Sequence, residues 1–139
     1  MAADLSVVEA LGKTDLFSSL SKRALKRLAS EAEVVNHAAG KEITEQGGGA
    51  VGFHLITSGI ASVTVNEAER PNLGPGDYFG EISLIDGKPR SATVTAETDL
   101  STISLVSWVF RPILEEEPEI ARGLLKVLCA RLRAVEQSS

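Results

Sequence analysis

The sequence predicts a mainly β protein with flanking helices: a β-barrel or jelly roll with one short helix inserted, N-terminal helices before it and two helices after it. Three observations lead there. Residues 34–105 are a series of short β-prone runs punctuated by glycine, the texture of an antiparallel barrel. On either side of it, apolar residues recur at helical spacing. The chain has 139 residues, 43% of them hydrophobic, which fits one domain around one core.

The elements follow in order. Leu5, Val8 and Leu11 recur at three-residue steps, and Leu16, Phe17 and Leu20 lead to Ser21, an N-cap for the amphipathic run KRALKRLASEA with Leu25, Leu28 and Ala29 inward. Its Lys22, Arg23, Lys26 and Arg27 read as a solvated helix face rather than a nucleic-acid surface. Strands are expected at 33–36, 42–44, 52–57, 60–65, 70–73, 92–96 and 100–105, separated by turns at Ala39-Gly40, Gly47-Gly48-Gly49, Ser58-Gly59, Asn66 to Glu69 and Gly74 to Asp77. Pro71 donates no hydrogen bond, so its strand should be short or lie at an edge. Ser107 starts a helix that must be irregular at Pro112 or begin there, and Pro118 opens a last helix with Ile120, Leu124, Leu128, Leu132 and Val135 on one face. The expected division is 1–31 for the N-terminal helices, 32–106 for the barrel and 107–139 for the C-terminal helices, all one domain.

Charge and composition narrow the function. A net charge of -5 offers no basic stripe for a nucleic acid or an anionic membrane. One cysteine, Cys129, leaves no intrachain disulfide or multi-cysteine zinc site, and its place on an apolar stripe predicts a buried, inert thiol. No apolar run reaches membrane-spanning length and no signal peptide is evident, so a cytoplasmic location is expected. His37 and His54 lie in strands with no neighbouring ligand pair or nucleophile, and Asp77 and Asp86 sit in turns. No metal, cofactor or catalytic residue is expected.

The informative stretch is Phe79 to Val94, FGEISLIDGKPRSATV. Gly80 admits close backbone approach, and a helical turn starting there would aim amides at an anion. Glu81 only accepts hydrogen bonds and suits hydroxyls, whereas Arg90, fixed by Pro89, presents a planar fork of donors suited to phosphate oxygens. Together they would enclose a small anion that carries hydroxyls.

FGEISL followed by PRSATV resembles the phosphate-binding cassette of the cyclic nucleotide-binding domain, the module of cAMP-dependent kinase regulatory subunits, bacterial catabolite activators and cyclic-nucleotide-gated channels. KEITEQG, FHLITSGIASV and LGPGDYFGE extend the resemblance from about Phe17 to the C-terminus. It implies that the cassette, residues 79–94, carries the inserted phosphate-binding helix. Arg90 would then clamp the cyclic phosphate, Glu81 would accept from the ribose 2'-hydroxyl, and Gly80, Ile82 and Ser83 would give backbone amides. Ile82 and Leu84 are also expected in the core. Ser91 can reach the phosphate and leaves the base open between adenine and guanine, with cAMP favoured over cGMP. Ala92 follows it in the contacting set, although it, Thr93 and Val94 chiefly build strand. On the last helix, Arg131, Leu132 and Val135 are expected to cover the base, or the helix forms a parallel homodimer.

The function implied is a regulatory receptor domain for a cyclic nucleotide. The cassette would draw inward, Leu84 and Ile85 would repack against Trp108, Phe110 and Ile113, and the final helix would move. The alternatives are a ligand-free structural or partner-binding module of the same fold, and the sensor fragment of a transcription regulator. Its output would pass to a fused or partner effector domain.

Overall fold

The computed structural model describes residues 4–44, 52–88 and 92–138. The chain divides into a β unit, residues 31–110, and a helical unit built from residues 1–30 and 111–139.

The β unit holds eight strands: β1 (Glu33–His37), β2 (Glu42–Thr44), β3 (Gly52–Ser58), β4 (Ala61–Val65), β5 (Ala68–Leu73), β6 (Tyr78–Phe79), β7 (Thr93–Ala96) and β8 (Leu100–Val106). They form two four-stranded antiparallel sheets of a jelly roll, ordered β1-β8-β3-β6 and β2-β7-β4-β5. Ile56, Phe79 and Leu100 from the first sheet meet Ala61, Val94 and Ala96 from the second in one buried cluster, with Ile43, Val63 and Leu73 packed against it. Burying such side chains is the main favourable term, about 1.5–3 kcal/mol for each large one. β3 is buried continuously from Gly52 to Ile56, so it reads as an apolar run and not as an alternation.

The expected strands are found, with shifted ends. The β4–β5 connection is tighter than the Asn66–Glu69 turn the sequence suggested: Asn66 and Glu67 both take positive φ (51° and 67°), and pairing resumes at Val65 and Ala68. A two-residue hairpin loop needs that handedness to match the strand twist. β5 is an edge strand, as Pro71 required. β6 was not foreseen. It is two residues long, too short for a period, and pairs with β3 through His54–Phe79 and Leu55–Tyr78.

Between β6 and β7 lies the inserted helix α3 (Glu81–Asp86), numbered after α1 (Leu5–Gly12) and α2 (Lys22–Glu31) of the helical unit. Gly87 ends it in the left-handed conformation (φ 69°), its N–H donating to the Ser83 carbonyl at 2.9 Å, and the Asp86 carboxylate takes the Lys88 N–H. α4 (Ser107–Glu116) and α5 (Pro118–Ser138) complete the chain. α4 runs through Pro112, which leaves the Trp108 carbonyl without its helical donor.

In the helical unit Asp4 caps α1 through the Ser6 N–H (2.8 Å), and Ser21 caps α2 through the Ala24 N–H (3.2 Å). Leu11, Leu16, Phe17, Ala24 and Leu28 are buried with Ile120 and Leu124 of α5. The two arginines expected on a solvated α2 face are paired: Arg23 with Glu117 and Arg27 with Glu116. No described helix is long and apolar enough to cross a membrane.

Candidate ligand-binding site

A cavity of about 390 Å³ opens on the β unit, within the range of small-molecule sites. Four pieces of chain build it. β6 contributes Tyr78 and Phe79; the start of α3 contributes Gly80, Glu81, Ile82 and Ser83; Ala92 and Val94 come from the entry to and body of β7; and Val63, Arg70, Pro71 and Leu73 come from the β4–β5 hairpin.

Local conformation explains the placement. Gly80 has φ 83°, ψ 10°, a left-handed turn that glycine adopts without a Cβ penalty. It redirects the chain from β6 into α3, where the Leu84 N–H bonds back to the Gly80 carbonyl at 3.0 Å. Leu84 and Ser83 anchor α3 by burial, Glu81 is half-buried, and Phe79 is held by stacking on His54 (ring centroids 5.0 Å apart).

Five of the expected ligand-contacting residues, Gly80, Glu81, Ile82, Ser83 and Ala92, thus line one cavity. Arg90 and Ser91, with Pro89 and the glycine turn at 47–49, lie outside the described residues. Arg131, Leu132 and Val135 belong to the last turns of α5 in the helical unit; Leu132 and Val135 are exposed, and Arg131 lines a separate groove of that unit with Asp15, Ser18 and Lys126.

Three expectations need correction. Ile82 is not a core residue: it is 52% exposed at the cavity, because the first turn of α3 buries Ser83 and Leu84 instead. Trp108 is 66% exposed, while Phe110 and Ile113 are buried. Cys129 is exposed, since α5 is packed on its first turns only, through Ile120, Gly123 and Leu124. The two histidines meet at the Thr102 hydroxyl, each ring nitrogen 3.2 Å from it.

Sequence reasoning missed Val63, Arg70, Pro71, Leu73, Tyr78 and Val94 as lining residues. Alternation in β4 signals Val63; the position of Arg70 depends on a register shift that no pattern announces.

Fold and cavity together define a ligand-binding jelly-roll domain with a helix inserted at the mouth of its pocket. Residues 34–117 match the family model for the cyclic nucleotide-binding domain, and the chain belongs to that family. It is 33% identical over 114 residues to the cAMP-dependent protein kinase regulatory subunit of Aspergillus fumigatus, covering 81% of this chain and 28% of that one. To the CRP-like cAMP-activated global transcriptional regulator of Mycobacterium tuberculosis it is 29% identical over 130 residues, 90% of this chain and 58% of the regulator. It thus spans between about a quarter and three fifths of the length of these relatives. Among solved structures, the N-terminal domain of a transcriptional regulator from Streptomyces coelicolor superposes with a TM-score of 0.82 at 27% identity, covering 94% of each chain.

Proposed function

We propose that this chain is a cyclic nucleotide receptor domain, with cAMP as a ligand, and that its β and helical units work as one regulatory domain. The observation that carries the reading is the convergence of Gly80, Glu81, Ile82, Ser83 and Ala92 on one cavity within the family-matched region. Glu81 accepts from the ribose 2'-hydroxyl, Arg90 and Ser91 take the phosphate, and backbone amides around Gly80, Ile82 and Ser83 complete its shell. The apolar side chains of Val63, Leu73 and Val94 support the purine. Arg131, Leu132 and Val135 of α5 close over the base.

Occupancy changes the protein only as far as the ligand binds one conformation more tightly than another. The signal leaves through α4 and α5, by repacking of Leu84 and Ile85 with Phe110 and Ile113. Exposed Trp108, at the start of α4, serves as a fluorescence reporter of that step. The names of the relatives that bind or respond to cAMP support that ligand, and effector domains fused to or partnered with this one would give the output.

Calorimetric titration with cAMP tests the reading. Saturable one-site binding accompanied by a change in Trp108 emission is expected. Absence of heat at millimolar ligand would instead favour a ligand-free module of the same fold.

A further inference from the structure

We propose that the buried His37–Thr102–His54 cluster takes up a proton when the cavity fills, so that the chain binds an anionic cyclic nucleotide more tightly as the solution is acidified. The inference rests on the receptor reading above and deepens it by naming a regulation of that site.

A short file of side chains joins the cluster to the cavity. The Thr102 hydroxyl stands 3.2 Å from His37 Nε2 and 3.2 Å from His54 Nδ1, and the two rings meet edge to face with centroids 5.8 Å apart. All three residues are buried. His54 then lies almost parallel to Phe79, 5.0 Å away and tilted by 19°, and pairs with it across β3 and β6. Phe79 lines the cavity and leads into Gly80 at the start of α3. One phenyl ring thus separates a titratable imidazole from the ligand space.

The cluster is built to hold one proton more. A hydroxyl has a single hydrogen, so it donates to one ring and accepts from the other, which ties the protonation of the two imidazoles together. His37 Nδ1 has no partner among the described residues, so no hydrogen bond fixes which form that ring takes. Burial, with the charge of Lys41 second, holds His37 below its ordinary value of 6.5, so that ring is neutral at neutral pH in the empty chain. Of the elements packed around the cluster, β8 carries no charged residue, β6 brings only the Tyr78 phenol, α3 brings the Glu81 and Asp86 carboxylates, and β1 adds Glu33 at its far end. Asp99 lines a second cavity beside His37. All of these charges are present with and without ligand, as is Arg90.

What differs is one negative charge. A cyclic phosphodiester is a monoanion, and in the cavity it stands on the far side of Phe79. Its attraction lowers the cost of charging the cluster, and by linkage the proton tightens the ligand by the same factor. At a separation on the order of 10 Å and an effective dielectric between about 20 and 80, Coulomb's law makes that factor roughly two- to fifteenfold. The complex therefore keeps the proton to a higher pH than the empty chain does. Affinity is greatest below the empty chain's midpoint and reaches its lower plateau above that of the complex.

His37 and His54 are the only histidines in the chain, so their ring Hε1 resonances can be followed by NMR against pH. Their midpoints should rise when cAMP saturates the parent. Calorimetry near about pH 6, in two buffers of unequal ionisation enthalpy, should record net proton uptake on binding. The affinity for cAMP should climb at least about twofold between about pH 7.5 and about pH 5.5. In the double variant His37→Gln, His54→Gln, with folding verified by far-UV circular dichroism, affinity should no longer follow pH over this window. Should that variant fail to fold, the NMR midpoints and proton count of the parent decide alone. Binding without proton uptake, histidine midpoints that ignore cAMP, or a folded double variant that keeps the full pH dependence would overturn the inference and leave the receptor reading intact. If the parent binds no cAMP at any pH, the receptor reading itself fails, and the inference with it.

Discussion

The Arg23 guanidinium grips the Glu117 carboxylate with both terminal nitrogens, Nη1 to Oε1 and Nη2 to Oε2, each at 2.7 Å. This fork ties α2 to the residue between α4 and α5. Next to it, Glu119 accepts from the Ser21 N–H and, at 3.0 Å, from the Ser21 hydroxyl, and Arg27 bonds Glu116 at 3.0 Å. The hydrogen bonds from Arg23 hold the Glu117 carboxyl below its ordinary value of 4.5, and those from the Ser21 backbone and hydroxyl do the same for Glu119. For carboxyls depressed by folding, the stabilisation is complete above the unfolded value and is lost as pH falls through the folded one. Thermal melts should therefore show midpoints falling below about pH 4.5. In Glu117→Gln part of that slope should vanish; an unaltered slope would show that the clasp contributes nothing.

A second acid-sensitive element should act at higher pH. Burial, and secondarily the charge of Lys41, holds the His37 imidazole below its ordinary value of 6.5, so the folded chain resists the proton that the unfolded chain accepts. More protons bound by the unfolded state means stability rises with pH, so this contribution is whole above about 6.5 and fades below it. Urea titrations between pH 5 and 8 should show the decline, and His37→Gln should flatten it.

The Thr102 hydroxyl between His37 and His54 is fully buried. It can donate to one ring and accept from the other, whereas His37 Nδ1 has no partner among the described residues. Thr102→Val keeps the shape and removes the hydroxyl from both rings, so it should cost about 1–3 kcal/mol in urea unfolding. Thr102→Ser, which keeps the hydroxyl, should recover most of it.

Gly59 and Gly76 share nearly the same backbone, φ 93° and 92°, but not the same surroundings. A Cβ at Gly59 would lie 2.2 Å from the Asp99 carbonyl oxygen; at Gly76 it would meet nothing within 4 Å. Gly76→Ala should cost only the left-handed penalty, about 1–2 kcal/mol. Gly59→Ala adds the collision with backbone and should cost clearly more, read as a lower urea midpoint at constant m.

Where one local rule governs an element, the sequence discloses it. Ser21 caps α2, Pro71 marks an edge, and the glycine at 80 starts a helix, because each choice depends on a residue and its immediate neighbours. Tyr78–Phe79 became a strand only through pairing with β3, which local pattern does not encode. The placement of Arg70 depends on a bulge, and the exposure of Ile82 and Cys129 on which turns of α3 and α5 find packing partners. The cassette was legible because its chemistry is contiguous in sequence; the apolar lining of the cavity by Val63, Leu73 and Val94 was not, because three strands supply it.

Glu81 and Arg90 carry the sharpest predictions for binding. Arg90→Ala should cost about 2 to 5 kcal/mol, the range for removing one partner of a desolvated charge pair, or roughly thirty-fold to several thousand-fold in affinity. Glu81, half-buried at the cavity, should discriminate ribose from deoxyribose. The parent should prefer cAMP to 2'-deoxy-cAMP, because a desolvated acceptor left without its hydroxyl is penalised by about 1–3 kcal/mol. In Glu81→Ala that preference should disappear, since no acceptor remains to be orphaned. A double-mutant cycle, with the ligand's hydroxyl as the second site, isolates the term from any general weakening of the pocket. A parent indifferent to the 2'-hydroxyl, or a Glu81→Ala variant that keeps the full preference, would remove Glu81 from the sugar contact, and the Arg90 result would stand or fall on its own.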